Sequence, residues 1–471
     1  MEKSVRGSNK MIIGIVLAVL TFWLFAQSMV NIIPAIQADL GISLGTLNIA
    51  ISLTSLFSGM FIVAAGGISD KAGRKRLTYL GLVLSIIGSL CLVLAQNATL
   101  LITGRIIQGI SAACIMPSTI ALVKANFEGE DRQRALSYWS FGSWGGAGCC
   151  ALIGGAIATY MGWRWIFVLS IVISLVAMYL LKDTPESKAE QSNTSKFNFT
   201  GLFIFIIIML ALNLVVTRGH EFGWTSPLTV ALMNVIIIGS AIFFMVEIKK
   251  SNKFIEFSLF KTKAYTGAVT SNFLQNAIAG TVVVANTYVQ VARGFTAFQT
   301  GLLTIGNLVA VLVMIRVGEK MLQKVGARKP MIAASIITPL GISLTALTFL
   351  PDLAYVITVF IGFMFSGIGL GLYATPSTDT AVVNIPENKV GVASGIYKMS
   401  SSLGFSFGIA ISTAVYGAIV ATGNTELAAS AGIMVNLAFA IPSLIFIMLT
   451  ISDNEGKKVL DLSSTTLKKS I

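Results

Sequence analysis

The feature that leaves this chain the fewest options is the recurrence of nearly uncharged apolar runs, each about 20 residues long, separated by short segments where lysine and arginine collect. Hydrocarbon offers the backbone no hydrogen-bond partners, so runs of that length cross a bilayer as helices. They fall at 11–35, 46–67, 78–96, 99–123, 135–159 and 164–181, then 199–217 and 226–247, then 264–291, 297–318, 330–349, 353–381, 390–420 and 428–450. This spacing predicts an all-α polytopic membrane protein of about 14 transmembrane helices, organised as two six-helix bundles plus two inserted helices. An N-terminal bundle occupies 1–181, a polar cytoplasmic linker 182–198, the inserted pair 199–247, a lysine-rich linker 248–263, a C-terminal bundle 264–452 and a cytoplasmic tail 453–471.

Composition sharpens what is excluded. Of 471 residues 55% are hydrophobic and 11% charged, with a mean hydropathy of +0.83, whereas a soluble domain carries about 25% charge. The net charge of +13 does not indicate nucleic acid as a partner, because the basic residues sit in short loops between spans. An even span count puts both termini on one side; every lysine outside the spans falls there too, which makes that side cytoplasmic. The basic segment Met1–Lys10 precedes an apolar run longer than a signal-peptide core, so this run is read as span 1. Cys91, Cys114, Cys149 and Cys150 all lie in apolar runs and give no disulfide framework. With one histidine, His220, no metal-ligand spacing and no Gly-Lys-Ser/Thr phosphate loop, no cofactor and no ATP drive are expected. A polytopic membrane enzyme or sensor stays a remote alternative.

The most charged turn is Gly66-Gly67-Ile68-Ser69-Asp70-Lys71-Ala72-Gly73-Arg74-Lys75-Arg76. Its glycines at 66, 67 and 73 let spans 2 and 3 turn back on one another. Asp70 stands where a helix ends and partial negative charge gathers, so its carboxylate should seek Lys71, Arg74 or the N-terminus of a neighbouring helix. If this turn is a latch, the partner lies near Gly391, at the start of span 13. That span carries the small-residue pairs Gly391/Gly395 and Gly404/Gly408. A degenerate echo, Gly318, Lys324, Gly326, Arg328 and Lys329, ends span 10, with Gln323 in the place of Asp70.

Arg105 and Gln108 share one face of span 4. An arginine inside a span is costly and must either snorkel or find water or a partner, which makes it a functional candidate. Glycines 142, 145, 146, 148, 154 and 155 permit close approach by span 5. Aromatic walls with a few amides suit flat amphipathic ligands, and the candidates for such a cavity are Trp23, Phe25, Gln27 and Asn31 on span 1, Gln108, Trp139 and Trp144, and Asn272, Gln275, Asn276 and Asn286 on span 9. Packing is the competing role for each. Trp163 and Trp165 beside an external loop are read as interface anchors.

These motifs resemble those of the major facilitator superfamily. Gly66, Asp70, Lys71, Gly73, Arg74 and Lys75 meet its signature Gly-x-x-x-Asp-(Arg/Lys)-x-Gly-Arg-(Arg/Lys), a loop that the resemblance implies is a gating element. Arg105, Gln108 and Gly109 resemble its span 4 motif of proton-coupled exporters. Gly146, Gly154 and Gly155 fit its antiporter motif in part, with Cys150 and Ala151 where Gly-Pro is usual, which puts a kink there in doubt. Over nearly its full length the chain looks like the 14-helix drug:proton antiporter branch. Stretches 23–31, 132–139, 162–167 and 373–379 resemble the Nor-type quinolone and multidrug efflux pumps of Gram-positive bacteria.

That resemblance implies a multi-pass protein of the bacterial cytoplasmic membrane, acting as a monomer, that exports small amphipathic drugs such as fluoroquinolones, cationic dyes and biocides in exchange for protons by alternating access. The alternative in the same fold is a carrier of a physiological metabolite or lipid-like compound. One departure concerns coupling: Ala26 stands where many relatives carry an aspartate on span 1. The coupling candidates are then Asp379, expected to pair with Lys398 on span 13, together with Arg105 and Asp70.

Overall fold

The computed structural model describes residues 7–42, 44–188, 198–250, 254–420 and 422–456. Residues 189–197 of the first linker, 251–253 of the second, 457–471 of the tail, and the side chains of Asn31 and His220 lie outside the described residues. Among the described residues there is no strand. We label the helices α1 (Asn9–Met29), α2 (Leu44–Ala72), α3 (Arg74–Val93), α4 (Ala98–Asn126), α5 (Gly129–Cys150 with Leu152–Tyr160) and α6 (Arg164–Leu181). Next come α7 (Phe199–Phe222) and α8 (Pro227–Lys249). The remainder are α9 (Lys263–Val291), α10 (Gln299–Val325), α11 (Arg328–Thr345), α12 (Asp352–Val383), α13 (Val390–Val420) and α14 (Thr425–Thr450).

Eleven helices among the described residues are long and apolar enough to cross a membrane, or twelve if the bent α5 is one span. Fourteen is not reached by this measure. Among the described residues the apolar stretch of α7 runs over Thr200–Leu212, and α11 opens on Arg328 and Lys329.

Helices α1–α6 pack on one another, as do α9–α14, while α7 and α8 pair and lean on α2 and α13. Lipid tails are as apolar as leucine, so close packing rather than water exclusion holds such helices together. The largest apolar cluster joins both bundles, with Ile15, Trp139, Tyr265 and Ile396 among its buried members. Outward-facing Leu228, Ile237, Phe244 and Ile248 on α8 are exposed as lipid contact requires. Local chemistry fixes the helix starts: Asn97 accepts from the Leu100 N–H, Ser226 from the Thr229 N–H, and Thr296 forms a reciprocal box with Gln299.

Two helices depart from regularity where function is expected. α1 passes from α-helix to a π-turn at Thr21–Ala26 and a 3-10 turn at Gln27–Asn31. α5 contains a π-turn at Phe141–Gly145 and bends by 50° near residue 151. That bend forms without the proline of the family motif, in a glycine-rich helix already loosened by its π-turn.

Both ends of the described chain lie on one face. Gly7 N–H donates to the Asn126 carbonyl, the Lys124 ammonium reaches the Val382 and Ile385 carbonyls, and Ala327 N–H donates to the Glu455 carbonyl. This terminal face carries the candidate site.

Candidate functional site

The turn between α2 and α3 is tighter than the glycine pattern predicts. Helix continues through Ala72 and restarts at Arg74, so Gly73 alone turns the chain, with φ +117°. Only glycine adopts that conformation without strain, and a Cβ at this point would also lie 2.7 Å from the Glu186 carboxylate. Glu186 accepts from the Lys75 and Arg76 N–H groups, both at 3.0 Å, and so caps α3. Gly66 and Gly67 lie inside α2 and do not turn it. Gly66 instead abuts Gly391: a Cβ on either would overlap the other's backbone carbonyl.

That approach delivers Asp70 to the start of α13. Its carboxylate accepts from the Gly391 N–H at 3.0 and 2.8 Å and from the Val392 N–H at 3.2 Å, with Arg74 at 3.4 Å. Unsatisfied N–H groups and a positive helix end favour an anion there, and Asp70 is 3% exposed. Arg74 donates onward to the Glu387 carbonyl of the second bundle. Lys71 is exposed, and Lys75 donates to the Lys182 carbonyl.

Further ties cross between the bundles on this face, Arg316 on α10 reaching Ser137 Oγ on α5 at 3.5 Å among them. Lys124, at the end of α4, donates to carbonyls at the end of α12. Arg132, in the first turns of α5, donates through Nε to Asp379 Oδ1 at 2.9 Å, both side chains being buried. The expected Asp379–Lys398 pair is therefore not formed. Arg132 lies level with the end of α12, whereas Lys398 turns its ammonium onto the Trp139 ring, 4.3 Å from its centroid. Sequence reasoning quoted Arg132 without assigning it a partner and passed over Lys124 and Glu186. A basic residue at each end of the short α4–α5 connection was the available signal; Glu186 had none.

Deeper in the first bundle Arg105 is fully buried rather than snorkelling. Its Nη1 donates to the Ala26 carbonyl at 2.7 Å and to Gln108 Oε1 at 2.8 Å, and its Nε to the Ala50 carbonyl at 3.4 Å. That Ala26 carbonyl lies where α1 passes from π- to 3-10 turn, so the arginine meets backbone at this point. Among the described residues its Nη2 has no partner.

The cavity candidates divide. Phe25 is buried in the core of the first bundle, and Gln275 ties α9 to Ser335 and Ser443, so both serve packing. Gln108 holds Arg105. Asn272 donates to Tyr397, Ser400 and Ser401 on α13, and Asn276 donates back to Asn272. Gln27 and Asn286 are half-buried, as is Trp23, whose Nε1 lacks a partner. Trp139 is anchored through Nε1 to Thr119 Oγ1 at 2.9 Å, and Trp144 packs with Phe141 against Val311, Ile315 and Leu370 of the second bundle. Of the expected interface anchors only Trp165 is exposed; Trp163 is buried and donates to Asp39.

Comparison with known proteins accords with this architecture. The family model described as Major Facilitator Superfamily matches residues 11–409 and, in a second match, 266–470. The chain is 51% identical over 455 residues to the quinolone resistance protein NorB of Staphylococcus aureus strain MRSA252, covering 96% of this chain and 98% of the relative. It is 52% identical, with the same coverage, to the NorB of strain COL. Among solved structures, the proton:xylose symporter XylE superposes with a TM-score of 0.66 at 14% identity, over 95% of this chain and 96% of that one. The human organic anion transporter MFSD10 gives 0.65 at 13%, over 93% and 98%. Two helical bundles of this topology and a matching sequence over most of the length have one source: the chain belongs to the major facilitator superfamily of membrane transporters and is not an enzyme.

Proposed function

We propose that this protein is a secondary active exporter of amphipathic drugs, fluoroquinolones among them, driven by proton entry across the bacterial cytoplasmic membrane. The observation that carries the reading is end-to-end identity of about half with proteins named for quinolone resistance. Geometry supplies a mechanism. Asp70, Arg74, Lys124 and Arg132 tie the two bundles together on the terminal face, which we take as cytoplasmic because the loop lysines gather there. A closed cytoplasmic face is one end state of alternating access, in which the bundles rock about a central site.

Asp379 is the acid we assign to coupling. Its Oδ2 is buried without a partner among the described residues, a place for a proton, while Oδ1 holds Arg132. A proton on Asp379 cancels the attraction and frees the cytoplasmic face to open; its loss to the cytoplasm restores the tie. Expression in a pump-deficient host lowers fluoroquinolone and dye accumulation, and a protonophore abolishes the effect; unchanged accumulation with confirmed membrane expression sinks the reading. Asp379→Asn abolishes drug-dependent proton flux in proteoliposomes while drug binding stays measurable. Retained flux removes Asp379 from the coupling role.

A further inference from the structure

Lys398 lies about two turns inside α13 and is only 5% exposed, yet among the described residues it forms no ion pair or hydrogen bond. Its contacts are aromatic: the Trp139 ring at 4.3 Å and the Tyr397 ring at 5.5 Å. The acids on helices packed around it are committed elsewhere, Asp70 to the Gly391 N–H and Asp379 to Arg132. Glu130 and Asp131 stand at the head of α5, more than a turn away from Trp139. A lone ammonium on a side chain this buried is expensive, and an indole face offsets only part of that cost. Proteins keep such a charge where a ligand completes it.

The surroundings fit one ligand chemistry. Trp139 is a flat ring fixed by its bond to Thr119 and fully buried beneath the Lys398 ammonium while the terminal face is closed, and its helix belongs to the first bundle while Lys398 belongs to the second. We propose that Lys398 is a specificity-determining binding residue that takes the carboxylate of flat aromatic acids, with Trp139 alongside their rings. Resting on the efflux reading, this separates the cargo into two classes. Carboxylate-bearing drugs bind through Lys398; permanent cations without a carboxylate do not need it. Because the contact joins the bundles through the ligand, a bound acid also links their movement.

The test measures export of norfloxacin and of ethidium by the wild-type protein and by Lys398→Met and Lys398→Arg. The expected result is about a tenfold or greater loss of norfloxacin export in Lys398→Met, ethidium export within twofold of wild type, and recovery in Lys398→Arg. Equal loss of both compounds, or of neither, overturns the proposal. Binding to purified protein separates this from the efflux reading: wild type should prefer norfloxacin to its methyl ester by about tenfold, and Lys398→Met should show no preference. If wild type exports neither compound, the efflux reading falls and the acid-over-ester preference alone decides; equal binding of acid and ester overturns the assignment.

Discussion

The two faces of the molecule are fastened in different ways. On the terminal face, beside contacts within a bundle such as Glu186 to Lys75 and Arg76, polar ties run between bundles: Asp70 to Gly391, Arg74 to Glu387, Lys124 to Val382 and Ile385, Arg132 to Asp379. On the opposite face the ion pairs stay inside a bundle. Arg164 meets Asp39 in the first, and Arg293 meets Asp352 in the second. A staple within one bundle stiffens a rigid body; a tie across two sets their relative position. The difference teaches that opening one face requires breaking buried polar contacts, whereas each bundle keeps its own braces when the other face separates.

Breaking the comparison starts with the most heavily bonded group. Asp70→Asn removes a buried charge that three N–H contacts and Arg74 satisfy, each charge-assisted bond being worth about 1.5–3 kcal/mol. Transport should fall by about tenfold or more, and spin labels on the terminal ends of α2 and α13 should report a longer mean separation. Unaltered separation and transport would remove the latch. Gly66→Val should act in the same direction by sterics alone, since a side chain there meets the Gly391 carbonyl. Its effect should persist at high salt, where exposed electrostatics are screened.

Next in size is Arg132→Gln, which strands Asp379. Breaking one half of a buried pair costs about 3–5 kcal/mol, and part of that cost is relieved if the bundles part and water enters. Thermal stability in detergent should drop, while labelling of a cysteine placed at position 394 from the terminal side should increase. A stability loss without increased labelling would make the Arg132–Asp379 pair a structural brace and not a gate.

How far these contacts could be read in the sequence depends on their range. Apolar runs revealed the helices because lipid demands about 20 residues of one kind, and Asp70 with Gly391 was legible because a helix end and a helix start attract opposite charge. The single-residue turn at Gly73 was blurred because Gly66 and Gly67 look like turn residues but lie inside α2, where Gly66 serves a close approach 325 residues away in sequence, at Gly391. Asp379 was assigned the wrong partner because a carboxylate and a lysine on neighbouring spans satisfy any one-dimensional argument. Depth and helix rotation decide which cation arrives, and these are set by the packing of α5 against α12. Arg105 meeting the Ala26 carbonyl depended on a π-turn for which span periodicity carries no signal.

The smallest predicted effect lies on the opposite face and sharpens the contrast from the other side. The Arg164 guanidinium, donating to Asp39 at 2.5 Å with Trp163 adding a second hydrogen bond, holds the Asp39 carboxyl below its usual range. A depressed folded-state pKa adds stability that is present above the unfolded value, about 3.9, and is lost as pH falls through the folded one. Both side chains are about a third or more exposed, at 34% and 42%, so screening keeps the contribution below about 1 kcal/mol. Asp39→Asn should therefore lower the melting temperature slightly at pH 7, by an amount that shrinks as pH falls from about 4, where the unfolded-state carboxyl begins to protonate, through the lowered folded-state value. Transport should stay within twofold of wild type and the separation at the terminal ends of α2 and α13 should not change. If Asp39→Asn moved that separation as Asp70→Asn does, the two faces would be coupled through the bundle interior, and the division between braces and ties would fail.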